Sequence, residues 1–244
     1  MWSDLALIAI GGFLGALVVG SAGFAFAIVV TAAWIQVLPP AAVVLMAAIC
    51  ATLLHVVSVW RFRSEIEYGL LWPFVLGGAL GVPFGVLALE RLDAALFRHA
   101  FGIFMVAYAL FMLMRPALPQ VRLAPAPARL ADGAVGWVSG MMGGFAMLHG
   151  TLTTIWCGLR GWDKRKSRCV YQPYILVNGV FVMLGVGLNV KLDFTQLVLP
   201  LAVALPALAA GLWLGLKVFD WMSEDLFRRL ILWLILASGI ALEF

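Results

Sequence analysis

Apolar residues run along this chain in long blocks, and short polar stretches punctuate them. Six blocks have the length of a bilayer crossing: about 40–60, 70–89, 94–114, 169–190, 194–216 and 225–243. Roughly 20 apolar residues in a helix cross a hydrocarbon core about 30 Å thick. Charged or turn-rich loops separate the blocks at Arg61 to Glu67, Glu90 to Asp93, Lys191 to Asp193 and Lys217 to Asp225. Alternating ten-residue segments are absent, so the expected class is an all-α polytopic membrane protein and not a barrel.

Two further apolar stretches do not fit a simple crossing. No Asp, Glu, Lys or Arg occurs from Leu5 to Trp60, or from Gly133 to Leu159. A straight helix over 5–38 would be about 51 Å long at 1.5 Å per residue, too long for one upright span. Residues 133–159 are too few for two. A break at the glycines resolves both, giving either a re-entrant hairpin of two half-helices or a single kinked crossing.

The blocks also repeat. A shift of 130 residues pairs Gly81 with Gly211, Gly85 with Gly215, Arg61 with Lys191, and Leu96-Phe97-Arg98 with Leu226-Phe227-Arg228. In the opening segments a shift of 125 pairs Gly11 and Gly15 with Gly136 and Gly140. The expected organisation is a first repeat over 1–114, a linker over 115–131 and a second repeat over 132–244. Four prolines in the linker favour an extended connector.

Charge decides the topology expected. The positive-inside rule counts Lys and Arg in short loops. With four crossings per half, the 16 Lys and Arg divide 10 to 6. With re-entrant hairpins and three crossings per half, 13 fall on one side, leaving only Arg91, Arg98 and Lys191 on the other. An odd number of crossings inverts one repeat relative to the other, and this arrangement is preferred.

Composition agrees: 64% of the 244 residues are hydrophobic, 11% are charged, and mean hydropathy is +1.07. A soluble domain carries about a quarter charged residues. The net charge of +4 does not indicate nucleic acid, because the cations orient loops. The start, Met1-Trp2-Ser3-Asp4, is acidic where a signal peptide is basic, so the first segment is expected to belong to the mature protein. Cys50, Cys157 and Cys169 have no metal-site spacing.

The chemistry is expected at the breaks. Two half-helix ends offer unpaired N–H groups and a positive dipole end, which hold an anion without a buried Lys or Arg. The candidate tips are Gly20, Ser21, Gly23 and Phe24 in half one, and Gly144, Phe145, His149, Gly150 and Thr151 in half two. Gly11, Gly15, Gly136 and Gly140 are expected to pack helices instead. His149 can donate to an anion or carry a proton, or else sit neutral against a carbonyl. His55 is read as structural, and His99 has no assigned role. Gln172 and Asn178 lie about 120° apart around one helix, so one can face a pore while the other joins helices. Thr153 and Thr154 are expected to bond back to their own helix. No metal cluster, phosphate loop or intramembrane carboxylate pair points to an enzyme, and neither a metal nor a cofactor is expected.

As a whole pattern the chain resembles the sulfite exporter TauE/SafE family, the TSUP permeases. The resemblance rests on Gly11-Gly12-Phe13-Leu14-Gly15 through Gly23, on Gly77-Gly78-Ala79-Leu80-Gly81 with Gly85, on Gly136 to Gly144, and on the loop Gly161-Trp162-Asp163-Lys164-Arg165-Lys166. It departs where members commonly show a Gly-Gly-Gly or Gly-Gly-Pro tip; here the tips read Gly20-Ser21-Ala22-Gly23 and Gly143-Gly144-Phe145. The resemblance implies a multi-pass permease of the bacterial inner membrane for sulfite, sulfonates and related anions. A channel-like anion pore and an intramembrane enzyme are the alternatives. The partners expected are a small anion and the lipid bilayer, with a homodimer left open.

Overall fold

The computed structural model describes residues 2–23, 25–114, 120–221 and 224–243, and among these no residue is in a strand. The chain runs through α1 (Trp2–Ala22), α2 (Phe26–Trp34), α3 (Pro40–Phe62), α4 (Tyr68–Arg91), α5 (Ala94–Met114), α6 (Pro125–Ala146), α7 (His149–Leu159), α8 (Lys164–Asn189), α9 (Thr195–Trp221) and α10 (Glu224–Glu243). In α1, α3, α4, α5, α8 and α9 the described residues are long and apolar enough to cross a bilayer, and the protein is a multi-pass membrane protein. Prolines interrupt α4, α8 and α9 internally, which membrane helices tolerate because neighbours re-satisfy the freed carbonyls.

The linker is shorter than expected. Residues 125–131 form the start of α6, with Pro125 at its first position. A proline there loses an N–H that would have no intrahelical partner, and its φ suits a helix. Residues 115–119 lie outside the described residues.

The chain divides into two compact units that interleave the sequence halves. One contains α1, α2, α3 up to Ala47, α5, α9 and α10. The other contains α3 from Ala48, α4, α6, α7 and α8.

In the first unit α2 folds back along α1. A Cβ on Gly15 would fall 2.7 Å from Val30 Cγ1, and one on Gly11 would fall 2.8 Å from Ala33 Cβ. Trp34, fully buried, closes this hairpin by donating its indole N–H to the Ile8 carbonyl at 3.0 Å. Arg98 on α5 donates to the Ile35 carbonyl at 2.8 Å, placing positive charge at the C-terminal end of α2, where the helix dipole favours it. Glycines then bring α9 against α1: Cβ atoms on Gly211 and Gly215 would lie 2.2 and 2.3 Å from the carbonyl oxygens of Phe13 and Leu17.

The second unit uses the same device more densely. On α4, Cβ atoms on Gly77, Gly81 and Gly85 would strike the carbonyls of Gly133, Trp137 and Met141 at 2.0–2.1 Å. On α6, those of Gly136, Gly140 and Gly144 would strike the carbonyls of Phe74, Gly78 and Val82 at 2.3–2.4 Å. Small residues every four positions on both helices thus let backbone touch backbone, as in tightly crossing membrane helices.

The approaches run in parallel in the two units. Gly81 lies over the Trp137 carbonyl as Gly211 lies over that of Phe13; Gly85 lies over Met141 as Gly215 lies over Leu17. The glycines are 130 positions apart, but their partners are 124 apart and not the 125 expected. Gly12, not Gly11, therefore stands where Gly136 does. The doublet Gly11-Gly12 makes the two registers look alike in sequence, and only the packing separates them.

Candidate functional site

Both opening segments fold back on themselves as hairpins, with unequal limbs. Each has a long first helix of 21 or 22 residues and a short return of 9 or 11.

In the first unit the turn is made by Gly23 at φ 80° and Ala25 at φ 70°. Positive φ suits glycine and is uncommon for any other residue. The Gly23 N–H donates to the Val19 carbonyl at 2.8 Å, ending α1. Ala25 precedes α2 without any side-chain cap, so the first N–H groups of α2 have neither an intrahelical nor a side-chain partner. Ser21 is buried and donates to the carbonyls of Leu17 at 2.8 Å and Val18 at 3.2 Å. Its hydrogen is thus used on its own helix. Gly20 faces α9, where a Cβ would lie 2.8 Å from the Leu212 carbonyl. Phe24 lies outside the described residues.

In the second unit the turn falls on Met147-Leu148 rather than on a glycine. Met147 adopts φ 59°, its N–H donates to the Gly143 carbonyl at 2.7 Å, and the Leu148 N–H donates to that of Met142 at 3.2 Å. The first of these bonds is the one that closes an αL helix cap, here without its usual glycine. Leu148 provides no side-chain cap to α7. At the start of α7 the His149 and Gly150 N–H groups thus lack a side-chain cap, inside a stretch that carries no charge.

His149 opens α7, 1% exposed. Its Nε2 lies 3.2 Å from the Ile175 carbonyl of α8, its ring meets Tyr174 edge-on at 6.0 Å, and its Nδ1 has no partner. Gly150 packs against Ile175, and buried Thr151 donates its N–H to the Leu148 carbonyl at 3.1 Å. Gly144 faces α4 instead, and Phe145 is half-buried near the end of α6. Thr153 and Thr154 bond back to His149 and Gly150 carbonyls, at 2.9 and 2.6 Å. On α8, Gln172 and Asn178 are both buried. The Asn178 amide donates to the Tyr174 carbonyl, and both side-chain carbonyl oxygens lack partners. His149, Gly150, Thr151 and the α8 segment around Ile175 therefore come together in this unit.

Sequence reasoning missed two features here. Asp132, 1% exposed, accepts from Arg160 and from the Trp156 indole, each at 2.7 Å, and so ties the open ends of the α6–α7 hairpin. The signal was available: Asp132 and Arg160 bracket the uncharged run 133–159, and folding that run in half brings opposite charges together. A cavity of about 410 Å³ lies at this end, lined in part by Glu67, Arg129, Asp132 and Arg160. Ser139, Thr153 and Tyr174 form the second feature. Thr153 donates to Ser139 Oγ at 3.1 Å and the Tyr174 hydroxyl donates to the Gly136 carbonyl at 2.9 Å, joining α6, α7 and α8. His55, read as structural from the sequence, is buried on α3 with Nδ1 2.8 Å from the Ala51 carbonyl. It fits the structural role expected, yet its Nε2 is also unpartnered.

Among the described residues, no group of three or more His, Cys, Asp or Glu side chains is placed to hold a metal ion. Cys50, Cys157 and Cys169 are free and buried. No curated protein and no solved structure matches the chain. The family model described as sulfite exporter TauE/SafE does match, over residues 7–242. With glycine-tight helices, two broken hairpins and a match over nearly the whole length, the chain belongs to the sulfite exporter TauE/SafE family of membrane transporters.

Proposed function

We propose that this protein is a secondary transporter for small sulfur-containing oxyanions, such as sulfite or organosulfonates, across the bacterial inner membrane. The observation that carries the reading is the start of α7. A helix N-terminus with no side-chain cap lies inside a span free of Lys and Arg, beside His149, which is buried with one ring nitrogen unpartnered. Backbone N–H groups and the positive end of a helix dipole are the means by which a low-dielectric interior holds an anion without a fixed cation. The α1–α2 turn offers the same kind of helix start in the other unit.

The two halves are read as inverted repeats. The matched approaches of Gly81 and Gly211, and of Gly85 and Gly215, support a duplicated plan. The doubling back of both opening segments supports three crossings per half. Such repeats let one part of a transporter move against another around a fixed site.

Binding of sulfite, thiosulfate, methanesulfonate and succinate to purified protein, followed by counterflow in proteoliposomes, tests the reading. Saturable binding of a sulfur oxyanion, weakened by His149→Gln and accompanied by counterflow, is the expected result. Preference for the dicarboxylate, or flux that does not saturate, would overturn it.

A further inference from the structure

A groove of about 410 Å³ opens between α4 and α8 in the second unit, and it shares no lining residue with the charged cavity beside Asp132. Its floor is where α8 comes closest to α4. A Cβ on Gly185 would fall 3.1 Å from Val86 Cγ2 and 3.7 Å from Val82 Cγ1, so the helices meet at these two buried valines. Leu87 and Leu184 stand at the rims, 41% and 54% exposed. Both helices are long and apolar enough to cross the bilayer. The rims therefore meet lipid chains, and hydrocarbon rather than water fills the groove.

The length of the groove fits one leaflet. From Ala79, which lines its deep end, to Glu90 at the other end is a rise of about 16 Å at 1.5 Å per residue. That is about half of a hydrocarbon core about 30 Å thick. One acyl chain thus reaches from the level of the head groups to the middle of the membrane. Glu90 stands beside the last residue of α4, and Asn189 is the last of α8, so the polar mouth lies at one face. It is the face opposite the basic loop that precedes α8.

The mouth has a definite charge. Among the described residues that line the groove, Glu90 is the one charged group. Its side chain is exposed, and no described residue pairs with it. Asn189 donates its amide to the Gly185 carbonyl of its own helix at 2.8 Å. What the groove offers at head-group level is therefore a carboxylate, which only accepts. It attracts a cation bearing N–H groups and repels a phosphate. Exposed Arg91 and Lys191 follow on these helix ends and supply positive charge near the level of a lipid phosphate.

We propose that this groove holds one acyl chain of a phospholipid whose head group is a primary amine, with the Glu90 carboxylate accepting from the ammonium. Phosphatidylethanolamine has that chemistry. Phosphatidylcholine carries the positive charge without an N–H, and phosphatidylglycerol carries neither. The site stands whether or not the protein carries sulfur anions.

The test uses full-length protein purified in detergent and stripped of lipid. The three lipids, matched in their chains, are added together, and native mass spectrometry counts the molecules retained. Phosphatidylethanolamine should be retained about threefold to fivefold better than either competitor, the scale of an exposed ion pair. Glu90→Gln should reduce it to the level of phosphatidylcholine. Because Glu90 is exposed, this variant should melt with the parent protein. Ala79→Leu, which fills the deep end, should lower retention of all three. Equal retention of the three lipids, or a preference that survives Glu90→Gln, would overturn the proposal. On the unaltered protein, a phosphatidylethanolamine with a photoreactive acyl chain should crosslink to Leu87, Phe181 or Leu184, which line the groove. Crosslinks that avoid all three, or a dimer that covers the groove and excludes lipid, would overturn it as well.

Discussion

The Trp34 indole donates to the Ile8 carbonyl at 3.0 Å, joining the return helix of the first hairpin to the start of its long limb. The second hairpin is closed by the same chemistry, with Trp156 donating to Asp132 at 2.7 Å. In each unit an indole in the short limb finds an oxygen on the long one. The bond fixes how far the short helix runs back, and so where the turn lies. Trp34→Phe keeps most of the buried ring and removes the donor, so it should cost about 1 kcal/mol. Trp34→Ala should cost about 3–5 kcal/mol by emptying the site. Reversible unfolding of the purified protein in mixed micelles would separate the two.

The Asp132–Arg160 pair should behave as a buried ion pair. Their side chains are only 2% and 12% exposed. Removing one member leaves the other charge buried and unpaired, at a cost of about 3–5 kcal/mol. Asp132→Ala and Arg160→Ala should each lower stability by that order, and the double variant should lose much less than their sum. A double-mutant cycle on unfolding midpoints measures the difference; additive losses would refute the coupling.

Much of this was legible before any coordinates. The boundaries of α5 coincide with the expected block at 94–114, and α3 and α4 fall within a few residues of theirs. The hairpins were legible as a length problem, because 5–38 is too long and 133–159 too short. Three things were not. Pro125 begins a helix where composition indicated an extended linker, since a proline in a first turn looks the same in sequence as one in a connector. The turn of the second hairpin falls on Met147, whose left-handed backbone no composition signals. Gly20 and Gly144 were grouped with the tips although α9 and α4 occupy their faces, because a glycine spared for a ligand and one spared for a helix are identical in the chain.

The glycine rows give a paired prediction. A Cβ on Gly81 would lie 2.0 Å from the Trp137 carbonyl, whereas one on Gly69, in the same helix, meets nothing within 4 Å. Gly81→Ala should force α4 and α6 apart and sharply reduce the yield of folded protein. Gly69→Ala should be neutral or stabilising by about 0.5–1 kcal/mol, since alanine is the better helix former. Thermal stability followed by size-exclusion chromatography compares them. Equal behaviour would mean that backbone contact does not set the packing.

The last prediction concerns sidedness, and α8 makes it testable. Its 26 residues span about 39 Å at 1.5 Å per residue, so its two ends belong to opposite faces of the bilayer. The loop before it is basic: Arg160, Lys164, Arg165, Lys166 and Arg168 cluster there. Two of these side chains also pair with acids before α4, Arg165 with Glu65 and Lys166 with Glu67. The loop after α8 holds only Lys191 before Asp193. With three crossings per half, 13 of the 16 cations share the first face, which the positive-inside rule assigns to the cytoplasm. The native cysteines are buried, so a membrane-impermeant maleimide applied to intact cells should report mainly an introduced thiol at an exposed position. Lys191→Cys should label from outside. Arg129→Cys, exposed near the start of α6, should label only after the membrane is opened. Four crossings per half would change which loops share a face and divide the cations 10 to 6, removing the bias on which the assignment depends. Outside labelling at Arg129→Cys with none at Lys191→Cys would invert the protein, and equal labelling at both would exclude a single orientation.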